Sequence, residues 1–174
     1  MMTMAFDLDF KQDLLENDAT FATCFQCGTC TGACPVARST KGSFNPRMII
    51  EASILGLKER LLESQAPNPW LCVTCHACVE LCPQDVNLVE TFSNIKNKAS
   101  RRGKLPRGYL DQITSIYKHG VALPINPAIA RRRKQLGLVP EPRVAEASVV
   151  RSILDRQGVD AMLEVSRPGG GADR

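Results

Sequence analysis

The stretch Cys24-Phe-Gln-Cys27-Gly-Thr-Cys30-Thr-Gly-Ala-Cys34-Pro35 decides how this chain is read, because it returns as Cys72-Val-Thr-Cys75-His-Ala-Cys78-Val-Glu-Leu-Cys82-Pro83. Both copies have the form C-x2-C-x2-C-x3-C-P, and together they use all eight cysteines. Three thiolates two residues apart can wrap three corners of a cubane iron–sulfur cluster, while the fourth, past a turn, points away. Proline then follows where no amide hydrogen is needed. In two-cluster proteins of this spacing the fourth cysteine ligates the other repeat's cluster. Two [4Fe–4S] clusters are therefore expected, one on Cys24, Cys27, Cys30 and Cys82, the other on Cys72, Cys75, Cys78 and Cys34. Zinc also takes four thiolates, but through paired cysteines, which leaves the third cysteine of each triplet unexplained. Disulfides are a poorer alternative in a reducing compartment.

The neighbours of the cysteines fit the same chemistry. Gly28, Thr29, Gly32 and Ala33 are small enough to let backbone amides approach sulfur, a contact that tunes the potential. In the second copy His76 and Ala77 replace Gly28 and Thr29. Four cysteines already serve each cluster, so His76 is expected to hydrogen-bond or to face a partner rather than to ligate.

Outward from the motifs the pattern is helical. Asn45-Pro46 reads as an N-cap and first turn, and the spacing predicts a helix from Pro46 to Glu63 with Ile50, Ile54, Leu57 and Leu61 on one stripe. Pro67 and Pro69 stop it, and Trp70 delivers the chain to Cys72. A second helix is predicted from Asn87 to Arg101 on Leu88, Phe92 and Ile95. Further helices are predicted over 107–119, 127–136 and about 146–165, with a Pro-rich link at Val139-Pro140-Glu141-Pro142. No stretch alternates convincingly as a strand would, so the fold class is all-α: a helical two-cluster ferredoxin-like core with a helical C-terminal extension. The domain reading is an N-terminal helical segment over 1–22, the two-cluster domain over 23–102, a helical docking extension over 103–167 and a disordered tail over 168–174, where Pro168-Gly-Gly-Gly171 cannot hold structure. That glycine run is no phosphate loop, since no strand precedes it and no helix follows.

Composition and charge narrow the function. Nine aromatics in 174 residues make a thin core, and clustered thiols that bind metal are a common remedy. No run of 18 apolar residues exists; the longest candidate, Val121 to Ala130, is broken by Pro124, Asn126 and Pro127. The first 20 residues carry acids where a secretory signal carries bases, so a cytoplasmic location is expected. Residues 1–100 hold eight Lys/Arg against eleven Asp/Glu, a net −3, whereas 101–174 hold fourteen against seven, a net +7. The basic runs at Arg101 to Lys104 and Arg131 to Lys134 are read as solvated faces or a surface for an acidic protein, not as nucleic-acid contacts. Each oxidised cluster adds about −2, from four thiolates around a cationic core, which brings the loaded protein close to neutral.

The chain resembles the C subunit of heterodisulfide reductase and its relatives along nearly its whole length. The resemblance rests on both cysteine motifs, the second introduced by Trp70-Leu71. It rests also on His119-Gly-Val-Ala-Leu-Pro124-Ile-Asn126, on Arg133-Lys-Gln-Leu-Gly-Leu138, and on the late Gly158-Val-Asp-Ala-Met-Leu163. The cysteine motifs alone are shared with the iron–sulfur subunits of succinate dehydrogenase and glycolate oxidase, so the C-terminal third carries the specificity. The resemblance implies an electron relay between a flavin-bearing A subunit and a catalytic B subunit, which cleaves a disulfide at motifs with a Cys-Cys-Gly core. This chain has no Cys-Cys pair and no dinucleotide fingerprint, so no catalytic residue is assigned to it. The alternatives are a freestanding ferredoxin-like carrier and the iron–sulfur subunit of another oxidoreductase.

Overall fold

A computed structural model of the chain describes residues 5–141 and 145–166. These residues are helices, turns and loops, with no strand among them. The chain divides into two compact units, one ending at Lys104 and one beginning at Leu105.

In the first unit, α1 (Leu8–Asn17) starts at Asp7, whose carboxylate accepts from the Phe10 amide at 2.8 Å. It buries Phe10 and Leu14. A 3₁₀ turn over Thr20–Thr23 buries Phe21 and leads into Cys24. The short helices α2 (Thr29–Ala33) and α3 (Pro35–Ser39) carry the rest of the first cysteine motif. α4 (Pro46–Ile54) begins as its sequence predicts, with Asn45 Oδ1 accepting from the Met48 amide at 3.1 Å and Pro46 in the first turn.

The predicted helix to Glu63 does not run through. It stops at Leu55, and Gly56 turns the chain with φ +65°. The Asp7 amide donates to the Gly56 carbonyl at 2.9 Å, and a Cβ on Gly56 would stand 2.4 Å from the Asp7 carbonyl oxygen. Only glycine combines that conformation with that approach. The chain resumes as a π-helical segment over Glu59–Ser64 that buries Leu61 and Leu62. The break also rotates the predicted stripe. Ile49 joins Ile50 in the core, Ile54 is half-buried and Leu55 is exposed.

A 3₁₀ turn over Pro69–Leu71 introduces the second motif, whose only helix is the short α5 (Ala77–Glu80). α6 (Leu88–Ser100) follows, with Asn87 Oδ1 accepting from the Glu90 amide, and buries Leu88, Phe92 and Ile95 as predicted. Phe92 meets Phe44 edge-on, ring centroids 5.8 Å apart. Burying each such ring contributes about 1.5–3 kcal/mol, so a few phenylalanines carry much of this core.

The second unit contains α7 (Arg107–His119), α8 (Pro127–Gln135), α9 (Ala147–Arg156) and α10 (Val159–Val165). The single helix predicted over 146–165 is thus two, because Gly158 adopts φ +72° between α9 and α10. α7 packs on α9, where the Tyr117 hydroxyl donates to Asp155 at 2.7 Å and the Arg151 guanidinium lies over the Tyr117 ring. Leu163 is the one buried residue of this unit among the described residues, while Leu123, Leu136, Val139, Val149 and Ile153 are exposed. Pro142 and the tail expected over 168–174 lie outside the described residues. No helix among the described residues is long and apolar enough to cross a membrane.

Candidate functional site

The two cysteine loops are conformational copies of one another. Cys24 and Cys72 each follow a 3₁₀ turn. Gln26 and Thr74 then adopt φ +56° and +57°, and Gly28 and His76 cap α2 and α5 at φ +84° and +62°. A non-glycine residue in this region costs about 1–2 kcal/mol. His76 therefore holds a strained position that its counterpart Gly28 holds freely. α2 and α5 pack directly on each other, which sets the two loops side by side.

That pairing produces two recesses. The first, about 360 Å³ counted to its open mouth, is lined by Cys24, Cys27, Cys30 and Cys82, with Arg47 and Leu88 among its other walls. The second, about 310 Å³, is lined by Cys34, Cys72, Cys75 and Cys78, with Phe44, His76 and Phe92. All eight cysteines are used, three from one repeat and one from the other in each recess. Cys34 reaches across because it caps α3, and Cys82 because it follows α5.

Each recess presents its sulfurs to amides. Backbone N–H groups of Gln26, Ala37, Thr74 and Val86 donate at 3.4 Å to the Sγ atoms of Cys24, Cys34, Cys72 and Cys82 respectively. Of the small residues expected to make such contacts, Thr29 does so, its hydroxyl 3.4 Å from Cys27 Sγ. The other donors do not stand out in the sequence. The first recess alone adds a side-chain amide, Gln26 Nε2, at 3.5 Å from Cys24 Sγ.

The thiol electrostatics describe a site made for a cation. The Thr29 hydroxyl and amide hold the Cys27 thiol below its ordinary value. Burial pushes Cys30 up, and pushes Cys78 up to about 12 with help from the neighbouring thiolates of Cys72, Cys30 and Cys34. Four thiolates in such a space repel one another unless a positive core lies between them. Among the described residues no three His, Cys, Asp or Glu side chains converge as a single metal ion would require. Four sulfurs around each recess, two of them met by backbone N–H donors, suit the core of an iron–sulfur cluster.

Residues 20–86, which contain both cysteine motifs, match the 4Fe–4S dicluster domain. The chain is 35% identical over 130 residues to the C2 subunit of the H(2)/formate:CoB-CoM heterodisulfide,ferredoxin reductase of Methanococcus maripaludis, covering 75% of this chain and 68% of that protein. It is 34% identical over 145 residues to the C subunit of the H(2):CoB-CoM heterodisulfide,ferredoxin reductase of Methanothermobacter marburgensis, covering 80% and 76%. Identity to the iron-sulfur C subunit of the CoB–CoM heterodisulfide reductase of Methanopyrus kandleri is 37% over 119 residues, 68% of this chain and 60% of that protein. The chain belongs to the family of heterodisulfide reductase C subunits. As a member of that family it is an iron–sulfur protein with two [4Fe–4S] clusters.

Beyond the cysteines, this heterodisulfide reductase C-type chain has two cations beside its recesses. Arg47 is exposed, its guanidinium 3.4 Å from the Gln26 carbonyl at the first. Lys96 is half-buried at the second, its ammonium donating to the Cys72 carbonyl at 3.3 Å. Burial lowers the Lys96 pKa from its ordinary value, and the Cys72 thiolate works against that shift. Neither contact is legible in the sequence, since each joins residues more than 20 positions apart.

Proposed function

We propose that this chain is the electron-relaying subunit of a heterodisulfide reductase-type complex, placed between a flavin-bearing A subunit and a disulfide-cleaving B subunit. Cys24, Cys27, Cys30 and Cys82 hold one cluster, and Cys72, Cys75, Cys78 and Cys34 the other. The observation that supports this most is the pair of recesses, each walled by three cysteines of one repeat and the fourth of its neighbour. When bound, each cluster takes up and gives back a single electron. The residues' part is to grip: four sulfurs fix each site, amides of Gln26, Ala37, Thr74 and Val86 offset thiolate charge, and Phe44 and Phe92 keep water from the second.

With every cysteine lining a recess, no thiol is left for attacking a disulfide, so bond cleavage belongs to a partner. The unit beginning at Leu105 is the docking element in this reading. Among its described residues only Leu163 is fully buried, Val149 and Ile153 are exposed on one side of α9, and α8 carries Arg131, Arg132, Arg133 and Lys134. Apolar centres with charged rims are what obligate subunit interfaces use. A cytoplasmic setting, where thiols stay reduced, suits eight metal-binding cysteines.

Purification of the tagged chain from its native host tests the relay. It should bring along a flavoprotein and a partner with Cys-Cys-Gly motifs, and reduction through the flavoprotein should reach this chain's clusters. Elution at the monomer mass, with no such partners, would favour a freestanding carrier.

A further inference from the structure

α6 runs along the second recess and gives it Val89 and Phe92. Lys96 lies four residues beyond Phe92, so it rises from the same face of that helix. The ion pairs among the described residues join Lys58 to Asp7, Lys98 to Asp13, Arg102 and Lys104 to Glu63, and Arg107 to Asp111. None of them includes Lys96. Its ammonium meets the carbonyl oxygen of Cys72 and, among the described residues, no carboxylate. A half-buried cation in that position is unfavourable unless an anion lies close by. The anions at hand are the thiolates of the second recess, one of which belongs to Cys72, whose carbonyl Lys96 already meets.

The first recess has no half-buried cation of this kind among the described residues. Arg47 borders that recess and meets the Gln26 carbonyl, but it is exposed, where solvent screening weakens its field relative to a half-buried cation. What that recess has instead are two uncharged side-chain donors to sulfur, from Gln26 and Thr29. The two sites are alike in backbone and unlike in electrostatics.

We infer that Lys96 is the resident counter-charge of the second cluster and raises the reduction potential of that cluster alone. The inference rests on the ligand grouping proposed above. One-electron reduction adds a negative charge to the core without making or breaking a bond. A fixed cation nearby favours that added charge, and fields of this kind act more strongly in a half-buried setting than in water. A hydrogen bond to a backbone carbonyl would by itself need no charge, so a neutral donor at this position separates the two roles.

The test uses the full-length, cluster-loaded chain with Lys96→Met, which keeps the apolar stem, and Lys96→Gln, which keeps a donor without the charge. Iron is counted first, and spectroscopic redox titration then follows each cluster. The expected result is full iron content, one midpoint potential moved to more negative values in both variants, and the other unmoved. The cluster that moves should be the one missing from Cys75→Ala, and Lys96→Arg should restore it. Fully loaded neutral variants with wild-type potentials would overturn the inference, as would a shift confined to the cluster missing from Cys27→Ala. Should Lys96→Met fail to hold iron, the potential of Lys96→Gln decides in the same terms. Failure of the ligand grouping would show separately, as the wrong iron counts in paired cysteine variants that leave Lys96 intact.

Discussion

If each repeat supplies one ligand to the other's cluster, pairs of cysteine substitutions should show it by iron content alone. The recesses place Cys34 with Cys75 and apart from Cys27. Cys34→Ala removes one of four ligands from the second site and should leave about four of about eight irons. It also removes the Sγ that accepts from the Ala37 amide at the start of α3. Loss of a cap of this kind costs about 1 kcal/mol, small beside a domain stability of about 5–15 kcal/mol, so the first site should survive. Cys27 and Cys75 are both exposed, and their truncation disturbs little packing. The double variant Cys34→Ala/Cys75→Ala should therefore keep about four irons, no fewer than either single variant, because one site is lost once. Cys34→Ala/Cys27→Ala should keep almost none. Anaerobic preparation followed by iron and sulfide analysis reads both outcomes. The reverse pattern, with Cys34 and Cys27 behaving as one unit, would refute crossed ligation.

Three other outcomes are expected. Gly56→Ala forces a side chain into a left-handed position and against the Asp7 carbonyl, so denaturant melts should show a loss of about 2–3 kcal/mol with both clusters still bound at low denaturant; an unchanged midpoint would contradict the close approach. A chain ending at Lys104 keeps the Gln65 side-chain contact to the Lys104 carbonyl and every cysteine; it should retain its iron yet no longer co-purify with larger subunits, and either loss of iron or continued assembly would count against a docking role for the second unit. Trp70, the single tryptophan, packs at the core edge in the turn leading to Cys72, so its emission should shift when Cys75→Ala empties the second site and stay as it was in Cys27→Ala; equal shifts in both would mean the two sites are not locally separate.

What could be read from sequence followed how local the governing physics was. Asn87 and the Leu88, Phe92, Ile95 spacing define α6 within one short stretch, and that helix forms where it was expected. Pro46 and Pro127 behaved likewise at the starts of α4 and α8. Gly56 was different. Its helical penalty alone is about 1 kcal/mol and does not end an apolar stripe; the break follows from Asp7, far earlier in the chain, which no periodicity reveals. Gly158 hid in the same way inside a favourable pattern. At the site, cysteine spacing announced the cofactor, but most donors to sulfur could not be foreseen. Gln26 and Thr74 share one left-handed conformation and one function while differing in chemistry, so their types did not mark them as counterparts.

The shared walls of the two recesses also set a timetable for biosynthesis. A chain emerging from the ribosome presents Cys24, Cys27 and Cys30 long before Cys82, and the first recess has no fourth wall until the second motif has been made. Cys34 likewise waits for its companions. On the proposed ligand grouping, neither half alone offers a complete site, and the first becomes complete only when nearly half the protein is out. With that grouping, cluster delivery to this chain would be a late event, and a premature stop between the two motifs would yield a product with no complete site.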